Sequence, residues 1–241
     1  MTKTEAPEKS TVEEIRSRFD HDVERFSNLE TGQVTTLDST LCMNLIADAV
    51  HYTSPDAKDL LDIGCGAGNY TISILNKVPN LNCTLVDLSM PMLERAKERV
   101  SALTAGSVEV IQSDVRLLEL PSSRFDVVVA ASVLHHLRGE EEWAEVFSNI
   151  YRSLKLGGSF WIFDLVVHDF PAVDELMSAR YAEYLVGLGG KEYQEHVFAY
   201  IAKEDTPRSV GFQMELMRKT GFRNMEVLHK NLNFAAFGGS K

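Results

Sequence analysis

The sequence contains few cysteines and no long apolar run. Its three cysteines, Cys42, Cys65 and Cys83, have no metal-ligand spacing, and such an odd, scattered set predicts reduced thiols and a cytoplasmic location. No window approaches the ~18 consecutive apolar residues of a transmembrane helix. The first residues, MTKTEAPEKSTVEE, lack the apolar core of a signal peptide. We therefore expect no membrane association and no bound metal.

Concentrated positive charge is also missing. The formal net charge is −11, and no cluster of lysine and arginine is longer than a pair. Because a protein that coats nucleic-acid backbone needs a concentrated positive surface, nucleic acid is disfavoured as a partner. The length of 241 residues suits one large α/β domain with a sizeable core.

The first part of the chain predicts a tail followed by helices. Residues 1–11 are polar and predict a disordered tail. Residues 12–241 are expected to form a single domain. Two apolar stripes at spacings of three and four predict N-terminal helices within 12–55, which would form a helical cap.

Strands and helices alternate over residues 56–165. DLLDIG, CTLVDLS, VEVIQSD, FDVVVAASVL and SFWIFDLV predict five strands, and the helix before the fifth is expected to end at Gly157-Gly158. Such alternation predicts a mostly parallel sheet with helices on both faces. A final helix and two edge strands, MEVLHK and LNFAAF, are predicted within 207–241, which makes seven strands.

Residues 166–206 interrupt the alternation and predict a helical insert after strand five. An insert of this kind can close over a substrate and exclude water. Packing in a core is the alternative role for its aromatic residues and histidines, which are His168, Phe170, Tyr181, Tyr184, Tyr193, His196, Phe198 and Tyr200.

Three glycines in LLDIGCGAGNYT directly follow the first strand. Gly64, Gly66 and Gly68 stand where a backbone must approach a bound ligand closely. A dinucleotide fingerprint would need glycine or alanine at the place of Asn69. The turn therefore suits a smaller ligand, whose uncharged sugar and amino-acid tail cross the loop.

Three aspartates stand near the same predicted sheet edge. Asp87 ends the second strand, where a carboxylate can accept two hydrogen bonds from a ribose diol. Asp114 ends the third strand and could accept from an adenine amine, with Val115 beside the ring. Asp62 could hold an ammonium group or brace the turn. Capping of turns and helices is the alternative role for Asp87 and Asp114.

These motifs, in this order, resemble the class I S-adenosylmethionine-dependent methyltransferases. LLDIGCGAGNYT is similar to that family's first motif, TLVDLSMPML to its second and VEVIQSDVRLL to its third, and FDVVVAASVLHHL and LKLGGSFWIFD to the fourth and fifth. The resemblance implies a Rossmann-like fold and S-adenosylmethionine as cofactor. The motifs say almost nothing about the methyl acceptor, which we expect to be a small molecule. The cofactor-binding residues that it implies are Asp62, Gly64, Cys65, Gly66, Gly68, Asp87, Leu88, Met92, Asp114, Val115 and Ala131.

A narrower resemblance concerns both ends of the chain. RFDHDVERFSN and RKTGFRNMEVLHKNLNF are similar to the carboxy-S-adenosylmethionine synthases of tRNA wobble-uridine modification. That subfamily holds its extra carboxylate with an arginine of the insert, but this chain has no arginine between Arg180 and Arg208. A histidine lacks the bidentate fork of arginine, so His196 would be a poorer clamp. A synthase and a non-catalytic cofactor-binding partner protein remain the alternatives.

The acceptor is expected beyond the ends of strands four and five. Methyl transfer requires alignment and exclusion of water, and it needs a base only when the nucleophile arrives protonated. No catalytic residue follows from the sequence, and we leave open whether the protein is a homodimer. The catalytic candidates are His136, Asp164, Tyr184 and His196, with His135 beside them, and Phe26, Asn28 and Asp38 are candidates to cover the cofactor.

Overall fold

The computed structural model describes residues 9–28 and 34–241, which form a seven-stranded α/β structure. The helices are α1 Val12–His21, α2 Val23–Ser27, α3 Ser39–Thr53, α4 Asn69–Leu75, α5 Met90–Ser101, α6 Glu140–Ser153, α7 Pro171–Glu204 and α8 Val210–Thr220, with a 3₁₀ turn at Leu134–His136. The strands are β1 Asp59–Ile63, β2 Asn82–Asp87, β3 Val108–Gln112, β4 Phe125–Ala131, β5 Leu154–Leu165, β6 Arg223–Asn231 and β7 Phe234–Ser240.

The strand order is β3-β2-β1-β4-β5-β7-β6, and the first five strands are parallel. Strand β7 runs antiparallel between β5 and β6, so the predicted final pair lies at one edge of the sheet. The order reverses between β1 and β4, which are neighbours although two strands separate them in sequence. Ligands of such sheets bind at this reversal, outside the carboxyl ends of the strands.

Local signals explain several boundaries. Ser89 caps α5 by accepting a hydrogen bond from the Met92 backbone amide, and Pro91 lies in its first turn, where the missing N–H costs nothing. Gly221 ends α8 in the left-handed conformation that glycine adopts without strain. The predicted end of α6 at Gly157-Gly158 is wrong. The helix stops at Ser153, and both glycines belong to β5.

The N-terminal region contacts the far end of the insert. Residues 1–8 of the predicted tail lie outside the described residues. The Ser10 amide donates to the Lys203 carbonyl at 3.1 Å, and Thr11 caps α1 in a capping box with Glu14. The first apolar stripe forms two helices rather than one, because the chain leaves the helical conformation at Asp22.

The insert is dominated by one long element, α7, with a break in its middle. Gly190 has φ +81° and ψ −177° there, a conformation available to glycine almost alone. The prediction of a helical insert is confirmed, and the break divides it into two helical arms. Among the described residues, no helix has the length and the apolar run needed to span a membrane.

Candidate functional site

A cavity of about 690 Å³ opens at the carboxyl ends of the parallel strands. Its floor is formed by the glycine turn and by the residues that follow β2, β3 and β4. Its roof is formed by α1, α2, residues 34–36 and α7. The volume lies within the roughly 300–1,000 Å³ of small-molecule and cofactor sites. Nine of the predicted cofactor-binding residues line it, whereas Asp62 and Gly68 do not.

All three glycines of the turn have positive φ, at +68°, +50° and +82°. A Cβ on Gly64 would stand 2.7 Å from the Val133 Cβ, and a Cβ on Gly68 would crowd Ala96 and Val100 of α5. A Cβ on Gly66 would meet nothing within 4 Å. Gly64 and Gly68 therefore serve close packing, while Gly66 leaves the backbone open toward the cavity, which is the cradle that an adenosyl sulfonium cofactor needs.

Asp87 joins the end of β2 to the glycine turn. Its carboxylate accepts hydrogen bonds from the backbone amides of Gly66 and Ser89, each at 2.9 Å. Burial raises the pKa of Asp87, and these amide donors act in the opposite direction. Because an ionised carboxylate can accept about four hydrogen bonds, the cavity-lining Asp87 has the capacity to bind a ribose diol as well.

Asp114 lines the cavity, and its carboxylate forms an ion pair with the guanidinium of Arg116. Arg116 donates from Nε to both Asp114 oxygens, at 2.9 and 3.1 Å, and from Nη2 at 2.5 Å. Burial alone would raise the pKa of Asp114, but the Arg116 hydrogen bonds and charge lower it. Asp114 is thus held as an anion in one orientation, which suits an acceptor for an exocyclic amine.

Asp62 is buried beneath the turn. The Thr71 hydroxyl donates to its carboxylate at 2.6 Å, and burial raises the pKa of Asp62 to about 7 despite that bond. Asp62 therefore lies where the bracing role predicts. Cys65 lines the cavity, and burial raises the pKa of its thiol well above the usual value, so it is no thiolate nucleophile at neutral pH.

Asn69, which breaks the dinucleotide fingerprint, ties the floor to the roof. Its amide nitrogen donates to the Phe26 carbonyl at the end of α2, at 2.9 Å. Its carbonyl oxygen accepts from Arg99 at 2.8 Å, and Arg99 also donates to the Ala67 carbonyl. Asn69 thereby holds the second N-terminal helix over the glycine turn.

A histidine pair follows β4 at the other end of the cavity. Asp164, which is fully buried, accepts a hydrogen bond from the His135 amide at 3.0 Å and a short one involving His135 Nδ1. Burial alone would lower the pKa of His135, but the carboxylates of Asp164 and Asp205 outweigh it and raise the pKa to about 9. Asp164 does not reach the cavity and anchors the His135 ring from below.

His136 and Asp205 face the cavity beside His135. Burial lowers the pKa of His136 well below its usual value, and the neighbouring His135 lowers it further. Burial raises the pKa of Asp205 to about 6, although the charge of His135 opposes the rise. His136 is therefore a neutral imidazole at neutral pH, with a ring that contacts Phe19 of α1 edge-on.

The other candidates divide between the cavity and its rim. His196 and Phe26 line the cavity, whereas Tyr184 donates its hydroxyl to the Val34 carbonyl at 2.7 Å and does not line it. Asp38 accepts hydrogen bonds from His229 and Asn231 of β6, both at 2.8 Å, and Asn28 is also absent from the lining. Tyr181 lines the cavity, and its hydroxyl donates to the Thr35 carbonyl at 2.8 Å.

Sequence reasoning missed several roof residues. Arg18 of α1 lines the cavity and forms two hydrogen bonds to Glu204, at 3.2 and 2.5 Å, while its guanidinium lies over the rings of Phe19 and Tyr200. An arginine within an apolar helical stripe is a weak signal of such a role. Asp205 carries no sequence signal, because only the course of α7 brings it to the histidines.

Comparisons with known proteins agree with this geometry. A family model described as a methyltransferase domain matches residues 60–158. The carboxy-S-adenosyl-L-methionine synthase of Nautilia profundicola is 27% identical over 197 residues, covering 81% of this chain and 82% of that protein. A malonyl-[acyl-carrier protein] O-methyltransferase of a Paenibacillus species is 28% identical over 139 residues, covering 57% of this chain and 48% of that protein.

A solved structure shares the fold. Human N-acetylserotonin methyltransferase, in complex with S-adenosylmethionine, superposes with a TM-score of 0.60 at 16% identity and covers 94% of this chain. The chain spans 56% of that protein's length. The methyltransferase domain lies on the strands and turn that build the cavity floor. Its match, the relatives and the cofactor cradle together support the similarity to the class I S-adenosylmethionine-dependent methyltransferases.

Proposed function

We propose that this enzyme transfers a methyl group from S-adenosylmethionine to a small molecule, at oxygen, sulfur or carbon rather than at an amide nitrogen. The observation that carries the proposal is the shape of the cavity. One roofed space of about 690 Å³ runs from the glycine turn to the histidine pair, beneath α1 and α7. Such a space favours a compact acceptor over a polymer.

The floor would hold the cofactor. Asp87 would accept from the ribose, Asp114 would accept from the adenine amine, and the Gly66 backbone would lie against the tail. The bound cofactor supplies an activated methyl group on a positively charged sulfur. The chain's own task is to align the acceptor with that group and to exclude water from it.

The roof and the histidine end would hold the acceptor. Apolar residues of α1 and aromatic residues of α7 cover this part of the cavity and would shield the acceptor from water. His135, His136 and Asp205 supply polar groups that line the same space. A small molecule that combines an apolar body with an oxygen-bearing group fits this combination of apolar, aromatic and polar lining.

A second candidate function has support of its own. Several relatives that cover about four fifths of this chain are carboxy-S-adenosyl-L-methionine synthases. Arg18 and Arg25 reach the cavity from the N-terminal helices, so a carboxylate clamp need not come from the insert. Making a carboxylated cofactor is therefore the alternative reaction for this cavity.

Mass spectrometry of small molecules released from the freshly purified, denatured protein would separate the two functions. Recovery of S-adenosylmethionine or its demethylated product supports the methyltransferase, and the carboxylated cofactor supports the synthase. A screen with S-adenosylmethionine deuterated in its methyl group should then find an acceptor that gains three deuteriums. The proposal fails if the protein retains the carboxylated cofactor or if no adenosyl sulfonium binds.

A further inference from the structure

Three metal-ligating side chains converge at the histidine end of the cavity. His135, His136 and Asp205 each offer one ligand atom, and these atoms lie within 4.8 Å of one another. Asp205 Oδ1 is 3.7 Å from His135 Nε2 and 3.4 Å from His136 Nδ1. Metal–ligand bonds of about 2.0–2.2 Å in a tetrahedral site separate neighbouring ligand atoms by roughly 3.4 Å, so both separations suit a shared ion.

Two of these atoms are buried without a hydrogen-bond partner. His136 Nδ1 and Asp205 Oδ1 both lack one, and Asp205 is 5% exposed. A buried polar atom that makes no hydrogen bond costs about 1–3 kcal/mol, and more when it is charged. At 3.4 Å the two atoms are farther apart than the roughly 2.7–2.9 Å of a charge-assisted hydrogen bond. His136 Nδ1 and Asp205 Oδ1 therefore lack the partner that such buried atoms need, and a bound ion between them would supply it.

Asp164 orients the cluster from behind. Its short contact with His135 Nδ1, together with the bond from the His135 amide, leaves Nε2 as the ring atom that faces Asp205. Metal-binding histidines commonly donate their second ring N–H to a carboxylate in this way, which fixes both the tautomer and the ring orientation. The buried Asp164 thus has the contacts of a supporting residue for a metal ligand.

The charges of the cluster are also those of a divalent cation site. Asp164 and Asp205 place two carboxylates in the interior beside two imidazoles. The nearby basic side chains bind elsewhere. Arg138 donates to the Glu204 carbonyl and to Thr206, and Arg18 pairs with the Glu204 carboxylate. Lys9 donates to the backbone carbonyls of Ala202 and Asp205, and not to the Asp205 carboxylate. A divalent ion bound there would displace the proton from His135, because a ligand imidazole must be neutral, and its charge would offset both carboxylates.

We propose that His135 Nε2, His136 Nδ1 and Asp205 Oδ1 form a binding site for a divalent transition metal ion of the zinc type. Two imidazoles and one carboxylate are a donor set that such ions prefer over magnesium or calcium. Because the three residues line the cavity, the remaining coordination position faces the acceptor space. A hydroxyl or carboxylate oxygen of a small molecule could occupy it, and a bound hydroxyl would lose its proton more easily.

Metal titration of the full-length protein tests the site without any methyl transfer. Protein stripped with a chelator would be titrated with zinc chloride by calorimetry, and with cobalt chloride by visible absorption. We expect one ion per chain, micromolar or tighter binding, and a cobalt spectrum of nitrogen and oxygen ligands. Asp205→Asn and His136→Gln should each weaken zinc binding at least tenfold, and Asp164→Asn should weaken it by roughly 10- to 100-fold, as loss of a supporting carboxylate typically does.

His51→Ala is the matched control, because this exposed histidine lies on α3 outside the cavity. Binding of S-adenosylmethionine reports whether each variant folds, since none of the altered residues is a predicted cofactor ligand. The proposal is overturned if the stripped wild-type protein binds no zinc saturably or if its cobalt complex shows a thiolate band. It is also overturned if folded Asp205→Asn keeps full affinity. If a variant fails to fold, the wild-type cobalt spectrum still decides between the cavity histidines and the cysteines.

Discussion

The floor and the roof of the cavity are built from different kinds of contact. The floor consists of strand ends and the glycine turn, and Gly66 and Asp87 bond to each other across only 21 residues of sequence. The roof depends on distant partners. Arg18 and Glu204 are 186 residues apart, and Tyr181 and Thr35 are 146 apart. A floor made of local units can be recognised from motifs, whereas a roof made of distant contacts cannot.

This difference separates the two halves of the enzyme's specificity. The turn and strand ends of the floor lie within residues 60–158, which match the methyltransferase domain, so we expect the floor to specify the cofactor. The helices of the roof, with the break at Gly190 and the Arg18–Glu204 pair, lie outside that match. We therefore expect substitutions in the floor to change cofactor affinity, and substitutions in the roof to change acceptor use and local stability.

Among these substitutions, Asp87→Ala should have the largest effect, a loss of S-adenosylmethionine affinity. It removes a partly buried carboxylate that lines the cavity and accepts from the Gly66 amide. Losing a charged hydrogen-bonding partner costs about 1.5–3 kcal/mol, or roughly 10- to 100-fold in S-adenosylmethionine affinity. Calorimetry would measure the affinity. Asp48→Ala is the control, because Asp48 forms an exposed ion pair with Lys77. Unchanged affinity would show that Asp87 only braces the turn.

Gly64→Ala should destabilise the floor by about 2–4 kcal/mol. The new Cβ would stand 2.7 Å from the Val133 Cβ in a residue with φ +68°, so steric overlap adds to backbone strain. Gly157→Ala is the control, because its φ of +80° is similar and its Cβ would meet nothing within 4 Å. Urea unfolding of both variants would separate overlap from strain, and equal losses would contradict the overlap.

Arg18→Ala should loosen the roof by about 1–2 kcal/mol, because it leaves the largely buried Glu204 carboxylate without its guanidinium partner. Hydrogen exchange should rise in α1 more than in the strands, and the KM for an acceptor should rise more than the KM for the cofactor. Arg16→Ala on the same helix, in an exposed pair with Glu13, is expected to change little. If Arg16→Ala raises hydrogen exchange in α1 as much as Arg18→Ala does, the Arg18–Glu204 pair does not stabilise the roof.

Asp62→Asn should change the pH dependence of stability by at most about 1.4 kcal/mol per pH unit. Asp62 has a pKa of about 7 in the folded protein, against about 3.9 in an unfolded chain. Between these values the folded state holds a proton that the unfolded state has released, so its contribution to stability falls as pH rises from about 4 to about 7. Asparagine keeps an acceptor for Thr71 but does not titrate. Urea unfolding across this window should show a flatter profile for the variant, and identical profiles would contradict the raised pKa.

The seven strands, their mostly parallel order and the glycine turn could be predicted because each depends on residues close in sequence. Alternation of short apolar runs with helical stripes predicts parallel strands, and G-x-G-x-G after the first strand predicts a turn that approaches a ligand closely. The structure adds that all three glycines are in the left-handed region, with φ of +50° to +82°. The end of α6 was missed because glycine is compatible with a strand as well as with a helix cap.

The sequence by itself determined the fold class and the cofactor, since periodicity and short motifs carry both. Only the tertiary structure decided which side chains meet at the histidine end of the cavity. Asp205 joins His135 and His136 because the two arms of α7 return the chain to the turn after β4. Arg18 reaches Glu204 because α1 lies near the end of α7. Such contacts depend on how whole helices and strands pack together, and local sequence patterns predict the elements but not their packing.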